Sequence, residues 1–136
     1  MQAVADARAK VEAGLRDAIA TGGFSLYDQP QSDRDGRIAG AEALIRWFGD
    51  DGRMISPAEF IPIAEYTGLV VPIGQWVLDT ACAQLAAWQR DVATRPLTIA
   101  VNVSARQFHQ PGFVVQTQGC ERFQGYLFGK PQPIED

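Results

Sequence analysis

The sequence predicts an α/β fold in a single domain, and two observations carry that expectation. The chain has 136 residues, 46% of them hydrophobic, which suffices for one core but not for two at about 100–200 residues per domain. A strand pattern, two helical patterns and another strand pattern also follow one another between residues 38 and 104. Strands separated by that much helix pair in parallel through a βαβ crossover.

From Val4 to Ile19, the apolar residues Val4, Val11, Leu15, Ala18 and Ile19 recur among charged ones, as in an amphipathic helix ended by Gly22 and Gly23. Such a helix either connects to an upstream unit or packs on its own domain. "FSLYDQP" reads as a short strand stopped by Pro30, and "QSDRDGR" as a polar turn into the strand "IAGAEALIRW". In "DDGRMISPAEF", Ser56 is placed to cap a helix, Pro57 suits its first turn and Glu59 completes a capping box. That helix runs to about Tyr66 and stops at Gly68. A longer one follows, with Ile73, Trp76, Val77, Leu85 and Trp88 at helical spacing. "LTIAVNVSA" is the next strand, and after "FHQPGFVVQT" the pattern changes to a short aromatic strand and a proline-bearing tail.

The formal charge of −4 excludes the broad basic footprint that long nucleic acid requires, although one or two arginines suffice for a small phosphate ligand. Cys82 and Cys120 stand far apart with His109 as the single histidine, which argues against zinc and for two reduced thiols used as small apolar residues. The charged N-terminal stretch is unlike a signal peptide, and no run is long enough for a membrane span. The expected location is therefore the cytoplasm.

Side chains alternate across a strand, so Glu42, Leu44 and Arg46 share one face, and Ala41, Ala43, Ile45 and Trp47 the other. Ionisable groups on a strand expected to be covered on both sides must be paired or coordinated. Two readings are open: a structural Glu42–Arg46 pair, or a carboxylate kept for a ligand. In the next strand, Leu97, Ile99, Val101 and Val103 face opposite to Thr98, Ala100, Asn102 and Ser104. Asn102, near the strand's C-terminal end, is either a turn-maker or an oxygen ligand for a hard cation if the strands belong to a barrel. Gln29 and Gln124 are loop hydrogen-bonders or readers of a nucleobase edge. Lys130, His109, Glu135 and Asp136 read as solvated surface.

Taken together, "LYDQP", "AEALIRW", "ISPAEFIPIAEYTGLVVPIGQWVL", "ACAQLAAW", "IAVNVSARQF" and "GCERFQGYLFGKP", in this order, resemble the EAL family of cyclic-di-GMP phosphodiesterases. Glu42-Ala43-Leu44 stands as the signature. The resemblance implies a (β/α)₈ barrel that hydrolyses cyclic-di-GMP to pGpG with Mg²⁺ or Mn²⁺. It makes Glu42 and Asn102 metal ligands, Leu44 and Arg46 contacts to the dinucleotide, with Arg46 at its phosphate, and Gln29 and Gln124 part of the ligand site. It divides the chain into a connector helix (1–22), the first part of the domain (23–117) and its end (118–136). The helix before Phe24 would join the domain to an upstream sensory or GGDEF cyclase-like domain.

The chain departs from that family between "FHQPGFVVQT" and "QGCERFQGY", where roughly the middle four strands of a barrel of about 250 residues are missing. The expected remainder is a partial barrel of strands 1–3 and 8. The family's further acidic ligands, its Asp-Asp motif, its catalytic lysine and its late Glu go with the missing part. Lys130 does not stand in the catalytic lysine's context, and Asp28 replaces the usual aromatic residue before Gln-Pro. Glu42 and Asn102 supply a single negative charge, too little for two divalent ions, so no complete catalytic set is present and the chain as it stands is expected to be inactive. The alternative is a degenerate module that binds cyclic-di-GMP or a protein partner. Closure of the barrel would put strand 8 beside strand 1, giving the order 8-1-2-3, an exposed apolar inner face and two free edges that favour self-association.

Overall fold

The computed structural model describes residues 2–103 and 123–127, with side chains from residue 5 to residue 102. The elements run α1 (Gln2–Thr21), β1 (Phe24–Ser32), β2 (Ile38–Phe48), β3 (Met54–Ile55), α2 (Pro57–Thr67), α3 (Val70–Gln89), β4 (Thr98–Val103) and β5 (Phe123–Leu127).

The hairpin β1–β2 is set by its turn. Asp33 Oδ1 accepts from the backbone N–H groups of Asp35 (2.9 Å) and Arg37 (3.0 Å), an Asx arrangement that closes the chain on itself. A connection this short makes β1 antiparallel to β2, so the sheet is mixed rather than uniformly parallel. Pro30 does not stop β1, which continues through it to Ser32. β1 is an edge strand, and its free side needs no donor from Pro30. β3, which the sequence analysis did not anticipate, pairs Met54 with Phe48 and Ile55 with Trp47.

Ser56 caps α2, its Oγ accepting from the Ala58 N–H at 3.2 Å. Gly68 ends the helix in the left-handed region at φ 82°, where a side chain would be strained. α3 returns the chain so that β4 pairs parallel to β2, as the βαβ reading expects. Gly40 sits where β2 meets β4, and a Cβ there would collide with the carbonyl oxygen of Thr98.

One core lies between the sheet and the helices. Phe24, Ala43, Ile45 and Trp47 of the hairpin meet Leu15 and Ala18 of α1, Phe60 of α2, and Ile73, Val77 and Leu85 of α3. Trp47 and Phe60 pack edge to face at 5.5 Å. α1 packs on this core, since Leu15 and Ala18 are buried.

Two expectations are corrected. The sheet order is β1-β2-β4-β5, and β5 pairs parallel to β4 rather than lying beside β1. β2 pairs with one side of β4, and the other side, an open ladder, accepts β5. Cys82, half-buried on α3, is disulfide-bonded rather than a free thiol. Cys120, Lys130, His109, Glu135 and Asp136 lie outside the described residues.

Candidate functional site

The predicted alternation along β2 holds residue by residue. Ala41, Ala43, Ile45 and Trp47 are buried against the helices, and Glu42, Leu44 and Arg46 are half-buried on the opposite face. That second face is where the candidate residues converge. Gln29 pairs with Glu42 across the hairpin, Glu42 with Ala100 across the parallel ladder, and Ala100 with Gln124 on β5. One row of the sheet thus runs Gln29, Glu42, Ala100, Gln124. Asn102 is two residues beyond Ala100, hence on the same face and diagonal to Glu42. Ala100, between Glu42 and β5 in this row, is buried.

The charged groups on this face are not paired with each other. Arg46 turns its Nη1 to the Ile45 carbonyl oxygen at 2.9 Å, and its Cζ lies 5.7 Å from the centre of the Tyr27 ring. Arg16 pairs with Glu12 on the surface of α1, not with either charged group of this face. The structural Glu42–Arg46 pair is therefore not formed, and the side chains of Gln29, Glu42 and Asn102 make no hydrogen bond to a described residue. A half-buried carboxylate beside a half-buried amide, both without partners among the described residues, is an arrangement suited to an external cation or donor.

Asp28 stands on the other face, opposite Ala43. Burial raises its carboxyl above the usual 3.8. Tyr27 is the residue on the candidate face that sequence reasoning passed over. Alternation along β1 puts it with Gln29, but its nearness to Arg46 depends on the hairpin register. A groove of about 770 Å³ between α1 and the β2–β3 turn, lined by Lys10, Gly14, Trp47 and Asp51, lies on the helix side, away from Glu42. Among the described residues no three of His, Cys, Asp and Glu cluster as a metal site, and no single helix is long and apolar enough to cross a membrane.

The EAL domain family model matches residues 12–118, from within α1 to beyond β4, and stops short of β5 and Gln124. The chain belongs to the EAL domain family. This EAL chain is 44% identical over 101 residues to the signaling protein YkoW of Bacillus subtilis, covering 74% of this chain and 12% of YkoW. It is also 44% identical over 101 residues to the bifunctional diguanylate cyclase/cyclic di-GMP phosphodiesterase MucR of Pseudomonas aeruginosa, covering 74% of this chain and 15% of MucR. The solved MucR phosphodiesterase in complex with c-di-GMP superposes with a TM-score of 0.74 at 39% identity, over 82% of the EAL chain and 45% of the solved chain. The EAL chain thus corresponds to a fragment of the barrel-like EAL fold and spans a small part of these relatives' length.

Proposed function

We propose that this chain carries the recognition side of a cyclic-di-GMP phosphodiesterase site, and that as a 136-residue chain it does not complete the reaction by itself. The observation that carries this reading is the shared face of Gln29, Glu42, Arg46 and Asn102 around a carboxylate that no described residue pairs with. A bound Mg²⁺ or Mn²⁺ would supply polarisation of the phosphodiester and activation of the attacking water. In this reading, Glu42 and Asn102 are oxygen ligands, Arg46 forks onto a phosphate, Leu44 lies against the dinucleotide, and Gln29 and Gln124 line the ligand site.

The donor set suits a hard cation in kind and falls short in number. Glu42 and Asn102 together bring one negative charge, and a two-metal site draws on several carboxylates. No hydrolytic step is assigned to the chain alone for that reason.

Titration of the purified chain with cyclic-di-GMP, with and without Mg²⁺, tests the reading while pGpG is followed by chromatography. The expected result is saturable binding that Arg46→Ala weakens, without pGpG. Metal-dependent pGpG from a homogeneous preparation would show that the missing ligands come from another chain. Absence of binding would reject the recognition role.

The same face supports a proposal about assembly. Tyr27, Ile38, Phe48 and Met54 are all exposed on it, and β1 and β5 each present a free edge within the described sheet. Such a surface favours self-association, and light scattering over a concentration series is expected to show growth beyond the monomer mass. An upstream sensory or GGDEF domain joined through α1 is the further partner that this reading proposes.

A further inference from the structure

Arg46 carries more structural support than a phosphate-binding arginine needs for burial alone. One end of its guanidinium is held by the Ile45 carbonyl oxygen at 2.9 Å. Tyr27 lies against it, with 5.7 Å from Cζ to the ring centre, inside the range at which an aromatic face attracts a cation. The register explains the contact. Tyr27 pairs with Leu44 and Ser25 pairs with Arg46, so Tyr27 is the diagonal neighbour of Arg46 on the candidate face. Phe48, with its ring 6.4 Å from that of Tyr27, braces the other side of the cluster.

We propose that Tyr27 is a positioning residue for Arg46, holding the guanidinium so that its free N–H edge meets a phosphate of the bound dinucleotide. The inference rests on the reading of Arg46 as the phosphate ligand. A planar guanidinium on an aromatic face keeps its in-plane donors available for a bidentate contact. Restricting it before binding lowers the ordering cost that a free arginine would incur on meeting the ligand. Tyr27 is 51% exposed, so the competing role is direct stacking on a guanine base.

The test is a double-mutant cycle read by binding of cyclic-di-GMP and of guanosine, with the chemical shifts of the Arg46 Cδ protons as a reporter that needs no ligand. Tyr27→Leu is expected to remove the ring-current shift and weaken cyclic-di-GMP binding roughly two- to fivefold. Tyr27→Phe should preserve both, and Tyr27→Leu should have no further effect in an Arg46→Ala background. A loss of guanosine binding, or an equal loss with Arg46 already removed, would make Tyr27 a base-stacking contact and overturn the proposal. Unchanged affinity in Tyr27→Leu would overturn it as well. A wild-type chain that keeps the Arg46 shift but binds no cyclic-di-GMP would instead sink the underlying reading of the site, and the positioning role with it.

Discussion

Glu42 and Arg46 lie on the same face of β2 but about 13 Å apart along the strand, and Arg46 turns to the Ile45 carbonyl oxygen and the Tyr27 ring instead. Among the described residues, no cation pairs with the Glu42 carboxylate. That relationship separates a structural role for Glu42 from a ligand-directed one.

If Glu42 holds nothing within the fold, removing its charge should leave stability nearly untouched. Glu42→Gln is expected to change the unfolding free energy by less than about 0.5 kcal/mol, measured by urea denaturation. The same variant should abolish any Mn²⁺-dependent gain in cyclic-di-GMP affinity. A loss of several kcal/mol would mean that the carboxylate has a structural partner after all.

Asp28 gives a pH prediction with a definite sign. Burial raises its carboxyl above 3.8, so the native state binds its proton more tightly than the unfolded state does. Stability from this group is present at low pH and falls as pH rises from about 3.8 through the raised native value. Asp28→Asn should therefore become more stable relative to wild type across that window, with the advantage levelling off above it. Denaturation midpoints of the two proteins, compared from acid to neutral pH, check this, and a constant difference would contradict it.

Gly40 is required by proximity rather than by φ. A Cβ would strike the Thr98 carbonyl at the β2–β4 contact, and backbone does not yield as a flexible side chain does. Gly40→Ala is expected to destabilise the chain by about 1–3 kcal/mol. It should also loosen the parallel ladder, visible as faster amide exchange along β4.

The cap on α2 is an isolated contribution that should behave independently of the site. Ser56→Ala removes the Oγ acceptor used by Ala58 and should cost about 1 kcal/mol. Ser56→Asp should retain most of the stability. Thermal unfolding of the two variants provides the comparison.

The local elements were legible because their causes are local. The capped start of α2 at Ser56, its stop at Gly68, the period of α3 and the alternation that sorts Glu42, Leu44 and Arg46 from Ala43, Ile45 and Trp47 all follow from residue type and spacing. The family motifs likewise lie in continuous stretches, and the family-model match to residues 12–118 bears out that recognition. Pro30 was misread because its effect depends on whether the strand has a neighbour on its donor side, which the sequence does not state. β3 was missed because two residues carry too little pattern to be seen without their partner strand.

By itself the sequence determined that this chain is α/β, which face of β2 is buried, and that it belongs to the EAL domain family, of whose fold it covers a fragment. Tertiary structure alone decided that Arg46 meets Tyr27 instead of Glu42, that Gln29 and Glu42 fall on one row, and that β5 takes the edge of β4. The physical reason is the same in each case. Burial and helical or strand character are set by neighbours along the chain, whereas register and edge pairing are set by contacts between segments that no spacing within the sequence encodes.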